Sequence, residues 1–494
     1  MRRLHYLLIV LSILLIPHPA VAQLESLLDT LPDCDFSTQI DRDDLNLGVV
    51  IVNFDNGLGC IENIDQTFNT ASVPKIFVAG AYYDLLMNGL LQPAEYEFTR
   101  EYWMGGRSDC LGEDQIGDVY SGEALIDLMI NCSDNAATWM LMDAIGWNTV
   151  NGYIDQLGIA GIGQVIPYAE VDRRKLEFLD PRWGDVPRGM ASRYYRGRMT
   201  DGLSAYFDTI PPRPDRETFA RINQQYFETY TTNTLTPRAL ARYIIQLRAD
   251  FQSSSFDSLV AGGVIDTMLF TQRQFSAQAL PGTVYVGSKN GFDRGLLAEA
   301  NVLFSSLDER VPSGMVLMFA QYDTLTTSNA NLAGPFGGEL NALFRALSPQ
   351  ISERLYPNYR LPPAQGDLTL SAVIFNTTDQ IQQCWRDYFR SGFAQSSVPA
   401  LETCFRRIGS RLSFGNDQNL GMGLTLRGLG NRDTRFVFIF TAPDGRIFSY
   451  QTDRRSVNDS AIYWFHPIDM VGSWQVDIFM NLRRVHTETI VVQR

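Results

Sequence analysis

The chain has 494 residues, 45% of them hydrophobic and 19% charged, with a formal net charge of -14. One hydrophobic core organises about 100–200 residues, so at least two domains are expected. The acidic balance, with no basic stripe, argues against nucleic acid as a partner.

In chain order, Arg2 and Arg3 precede an apolar run from Leu7 to Ile16, then Pro17 and the small residues Ala20, Val21 and Ala22. This reads as a cleavable signal peptide over residues 1–22. The run falls short of the roughly 20 apolar residues that a spanning helix needs. No cysteine follows it to accept a lipid, so the mature chain is expected outside the cytoplasm, periplasmic or secreted, and not as an integral membrane protein.

Residues 47–53 and 60–64 read as strands around the turn Asp55-Asn56-Gly57. A helix is expected from Ser72, with Pro74 in its first turn, where a missing N–H removes nothing. Its body, residues 76–86, is apolar nearly all round, as in a helix buried on several sides. Residues 124–130 and 136–145 read as two helices separated by a loop at 131–135, whose residue types prefer caps and turns. Residues 180–230, rich in Arg, Tyr and Pro, read as an inserted excursion, and residues 234–247 as a helix capped by Thr236.

Three strands at 283–288, 297–304 and 314–322 and a closing helix at 338–347 complete a domain spanning residues 23–356. Strands at both ends with helices between suggest an α/β (α+β) fold, an antiparallel sheet flanked by helices. Residues 357–365, with three prolines, read as a linker. Residues 366–494 read as an immunoglobulin-like β-sandwich ending in a hairpin around Asn481-Leu482. The six cysteines form an even set in an exported chain, so disulfides are expected, with neighbour pairing as the working assignment although spacing does not fix connectivity.

Two scarcities constrain the chemistry. The four histidines are His5, His18, His466 and His486, so residues 19–465 contain none and cannot hold a Ser-His-Asp triad or a histidine-ligated zinc. Only Lys75, Lys175 and Lys289 are lysine, in a chain otherwise supplied with arginine. Arginine cannot serve as a base, whereas a partly buried lysine can lose its proton.

Ser72-Val-Pro-Lys75 puts a serine and a lysine on one helical face, Ser133-Asp134-Asn135 falls in the loop between two helices, and Lys289-Asn290-Gly291 closes a strand. In this order and on these elements the three motifs resemble the S-x-x-K, S-D-N and K-T-G set of class A β-lactamases and penicillin-binding proteins, over about residues 35–347. The resemblance implies a five-stranded antiparallel sheet with a helical subdomain and no cofactor or metal. It also implies a covalent acyl-enzyme on Ser72, with Lys75 taking or relaying its proton and Ser133 protonating the departing nitrogen with help from Lys289. Lys289 would hold a substrate carboxylate, and Asn135 the substrate side-chain amide. The N–H groups of Ser72 and Phe292 would form the oxyanion hole, and Asp134 would tie its loop down.

The match departs in three places, one being the excursion over residues 180–230, which exceeds what the family normally carries and is expected to pack on a flank in preference to covering the site mouth. Asn290 replaces a hydroxyl residue, which alters carboxylate recognition. The E-x-x-x-N pattern that supplies the deacylation base is absent. Glu170 is the better placed substitute, although a solvated loop carboxylate is the preferred reading, and Lys175 beside Arg173 and Arg174 reads as a solvated basic run. The small-molecule substrate is then a β-lactam, or alternatively a peptidoglycan peptide. A non-turnover sensor of β-lactams or cell-wall fragments is the third reading, and no partner is assigned to the C-terminal domain.

Overall fold

The computed structural model describes residues 19–40, 44–105, 110–197, 202–253, 257–269, 274–281, 284–306, 309–326 and 339–359. Beyond these it describes residues 369–377, 411–413, 419–427, 434–444, 447–454, 461–467, 471–480 and 483–493. The start of the expected signal peptide, most of the expected linker, and Cys384 and Cys404 lie outside the described residues.

The trace divides into two compact units, Met1–Pro335 with Leu343–Asn358, and Phe336–Ala342 with Tyr359–Arg494. In the first, strands β1 (Leu45–Asn53), β2 (Gly59–Glu62), β3 (Tyr285–Asp293), β4 (Leu296–Phe304) and β5 (Pro312–Tyr322) form one sheet in the order β2-β1-β5-β4-β3. Every pairing is antiparallel. All nine residues of β4 are buried, so its sequence Leu-Leu-Ala-Glu-Ala-Asn-Val-Leu-Phe lacks the alternation of a strand with one wet face.

The helices are α1 (Pro19–Leu28), α2 (Lys75–Met87), α3 (Gly122–Asn131), α4 (Asn135–Ile145), α5 (Trp147–Gln156), α6 (Tyr168–Glu177), α7 (Arg188–Tyr195), α8 (Arg216–Thr229), α9 (Pro237–Gln252), α10 (Asp257–Leu269) and α11 (Glu339–Leu355). Helix α2 is buried from Lys75 to Tyr82, as its uniform apolarity requires. It shares a core with α3, α9, α10 and one face of the sheet, through Phe77, Leu125, Ile244, Val264, Leu317 and Phe319. Thr236 caps α9 by accepting from Ala239 N at 3.1 Å. Cysteines pair as neighbours at Cys34–Cys60 and Cys110–Cys132.

Several boundaries differ from expectation. Helix α2 begins at Lys75, not Ser72. Ala71 is left-handed (φ 47), and Val73, Lys75 and Ile76 donate to the carbonyls three residues back, so Ser72 sits in a tight 3₁₀-like turn that leads into the helix. Lys289-Asn290-Gly291 lies within β3 instead of ending it, because the chain reverses only at Gly295 (φ 68). Thr234–Leu235 is a short strand against Phe68–Asn69. The closing helix α11 runs on to Leu355 through Pro349. The excursion carries α7, α8 and a satellite core in which Trp183 stacks near Tyr194 and Phe207.

In the second unit, Thr369–Thr377, Asn419–Arg427 and Ala461–Pro467 form one sheet. Thr434–Thr441, Ile447–Arg454, Gly472–Met480 and Arg483–Gln493, with Arg411–Ser413, form another. The expected final hairpin is present as the antiparallel pair Gly472–Met480 and Arg483–Gln493. Among the described residues no helix is long and apolar enough to cross a membrane.

Candidate active site

Three segments remote in sequence converge beside the first turn of α2. Lys75, 3% exposed, directs Nζ at Ser133 O, at Ser133 Oγ (3.4 Å) and at Asn135 Oδ1 (2.8 Å). Lys289, 1% exposed, donates from Nζ to Ser133 Oγ at 2.8 Å and to Asn290 O at 2.7 Å. The Ser133 hydroxyl thus lies between two lysines, and a proton can pass through it from one side to the other.

The α3–α4 loop is built to hold that hydroxyl. Ser133 is left-handed (φ 57), a conformation that costs about 1 kcal/mol or more in a residue with a side chain and persists only where its surroundings impose it. Asp134 imposes it. Buried completely, its carboxylate accepts from Cys110 N (3.0 Å), Leu111 N (2.8 Å) and, as the cap of α4, Ala137 N (2.9 Å). The Cys110–Cys132 disulfide fastens the same loop.

Strand β3 brings the third segment close. A Cβ on Gly291 would fall 2.1 Å from Thr70 O and 2.5 Å from Ser72 N, so only glycine lets the strand backbone approach the turn holding Ser72. Phe292 follows Gly291 directly in β3. Asn290 donates from Nδ2 to Gln274 Oε1 at 3.0 Å.

Glu170 is not part of this cluster, and the picture of a solvated loop carboxylate is wrong. It lies on α6, its side chain 5% exposed, bound by Arg173 (2.9 Å), Arg174 (2.9 Å) and Arg188 (3.0 Å). Burial alone would raise its pKa, but the guanidinium groups outweigh burial and hold it below its ordinary value of 4.5. A carboxylate so paired is a poor proton acceptor. Its charge stabilises the fold above pH about 4.5, and that contribution is lost as pH falls through the lower folded value. Glu170→Gln is therefore expected to cost about 2 kcal/mol at neutral pH, since the arginines keep some contact with water, and to flatten the acid side of the melting-temperature profile. An equally steep acid limb in Glu170→Gln would refute this.

Lys175, expected in a solvated basic run, is instead buried, 1% exposed, with Nζ 2.9 Å from Asp293 Oδ2. Sequence reasoning also misses Asn233 (φ 54). Its main-chain oxygen accepts from Thr70 N at 3.2 Å, and its side-chain amide exchanges two bonds with the main chain of Ile166 at 3.0 and 3.1 Å. It fastens the segment before α6 to the segment before Ser72. The only signal is an asparagine, the non-glycine residue that best tolerates a left-handed position.

A family model described as the β-lactamase enzyme family matches residues 35–329, more than half of the chain. Similar solved structures include PBP-A, 15% identical over 68% of this chain and 96% of that one, with a TM-score of 0.40. A β-lactamase from Francisella tularensis is 14% identical over 66% and 99%, with a TM-score of 0.43. An ancestral class A β-lactamase is 15% identical over 67% and 97%, with a TM-score of 0.41. No curated protein matches. With its three motif segments joined at Ser133 and its antiparallel five-stranded sheet, the chain belongs to the β-lactamase enzyme family.

Proposed function

We propose that the chain is an exported serine hydrolase that forms a covalent acyl-enzyme with β-lactams. Ser72 attacks the ring carbonyl, and Lys75 takes its proton directly or through Ser133. The C–N bond breaks as Ser133 returns a proton to the ring nitrogen, and Lys289 holds the substrate carboxylate as a point charge. The N–H groups of Ser72 and Phe292 face the developing oxyanion, and Asn135 binds the side-chain amide. The observation that carries this reading is the placement of the Ser133 hydroxyl between Lys75 and Lys289.

The arginine-locked state of Glu170 favours slow release of the acyl group. That supports the second reading, a penicillin-binding enzyme on peptidoglycan peptides that retains β-lactams as long-lived adducts. Mature protein mixed with a chromogenic cephalosporin, followed for turnover and intact mass, separates the two. Fast turnover supports hydrolysis, and a persistent adduct mapped to Ser72 supports slow release. Either must vanish in Ser72→Ala, and no adduct with any β-lactam would sink the acyl-enzyme altogether.

A further inference from the structure

Lys175 is the one lysine that the chemistry above does not use, and its setting is built. On α6, Tyr168, Val171 and Lys175 lie at i, i+3 and i+7, one face of the helix, and Arg174 and Glu170 lie on another. The ammonium is enclosed by rings from the excursion, with centroids at 5.7 Å (Tyr195 of α7), 5.4 Å (Tyr226 of α8) and 5.3 Å (Phe227 of α8). Its hydrogen bond goes to Asp293, the last residue of β3. A compact ammonium suits one carboxylate and three ring faces, whereas a guanidinium would bring five donors to the same box.

Asp293 follows Phe292 and stands two residues from Gly291, whose backbone already rests against Ser72 N. Asp293 also borders a small cavity with Ala71, Tyr168, Tyr226 and Phe227. The end of β3, the turn before the nucleophile, α6 and the excursion therefore meet at one place. β3 is the edge strand of its sheet, so the sheet supports its end from one side only and a contact from outside the sheet adds a second support.

We propose that Lys175 is a positioning residue for the oxyanion hole: through Asp293 it anchors the end of β3, and with it the Phe292 N–H, against the turn that carries Ser72. The excursion supplies the aromatic box that keeps water from this anchor. The proposal rests on the acyl-enzyme reading for its chemistry, but the anchor itself is testable without it.

Two variants of the full mature chain are compared with wild type, Lys175→Met and Lys175→Met with Asp293→Asn, the second removing both charges of the pair so that a folded protein is available. Hydrogen exchange of residues 290–296 is measured on the free proteins. Acylation by benzylpenicillin is measured with the infrared carbonyl frequency of the adduct. Lys175→Met should exchange this segment about 10-fold faster, acylate about 10- to 100-fold more slowly, and show an upshifted carbonyl band, since a misplaced donor polarises it less. The double variant should recover part of the exchange protection and leave the carbonyl upshifted.

Wild-type exchange in a folded Lys175→Met protein would overturn the anchor. Faster exchange with wild-type acylation and carbonyl frequency would overturn its role in the oxyanion hole. Failure of the wild type to acylate would instead refute the acyl-enzyme reading, and the exchange measurement would still decide the anchor.

Discussion

Replacing Lys75 with methionine should slow acylation of Ser72 about 1,000-fold while changing non-covalent capture of a carboxylate-bearing β-lactam only a few-fold. Methionine is close to lysine in length and apolar volume, so the buried channel of the side chain along α2 stays filled. The loss is confined to Nζ, which contacts Ser133 and Asn135 and stands one turn beyond Ser72. Without it, no group at that place takes the serine proton. Lys289 keeps its 2.8 Å bond to Ser133 Oγ and so keeps both the hydroxyl and its own charge, proposed to bind the carboxylate, in place. Stopped-flow acylation at several substrate concentrations separates the two quantities. An acylation rate within tenfold of wild type would remove Lys75 from the role of base.

The chain reveals the candidate acylation groups more readily than the environment that supports them. The absence of histidine from residues 19–465 and the rarity of lysine direct attention to the three lysines, and the resemblance of three short motifs selects Ser72, Lys75 and Lys289. The caps at Asp134 and Thr236 are equally legible, because each follows from local hydrogen-bonding chemistry. Lys175 and Glu170 mislead for a common reason. Residues 168–177 are polar on average, which suggests a wet loop, yet the segment is a helix that turns Lys175 toward a partner 118 residues away. Glu170 is paired partly within its own helix and partly with Arg188. Periodicity within ten residues does not reveal partners on other elements. Lys289-Asn290-Gly291 reads as the end of a strand, whereas the strand continues and the glycine serves a close approach of two backbones.

That close approach makes Gly291→Ala a small substitution with a large expected effect on acylation. The added methyl would meet Thr70 O at 2.1 Å, Ser72 N at 2.5 Å and Val73 N at 3.0 Å. All three are main-chain atoms, so no rotamer change relieves the clash, and either β3 or the turn before α2 must retreat. Overpacking of this kind costs about 1–3 kcal/mol. The functional cost is larger, because a retreat of about 1 Å carries the Phe292 N–H away from the position of the oxyanion, and a misplacement of that size costs about 100-fold. Gly152→Ala is the matched control. It lies on α5 with nothing within 4 Å of the new methyl, and the change should leave acylation intact and stabilise the helix by up to about 1 kcal/mol. The expected result is a folded Gly291→Ala protein with a lowered melting temperature and acylation reduced about 100-fold, beside a Gly152→Ala protein that acylates like wild type. Wild-type acylation by Gly291→Ala would mean that the distance between β3 and the Ser72 turn does not control the reaction, and the oxyanion hole would have to be sought elsewhere.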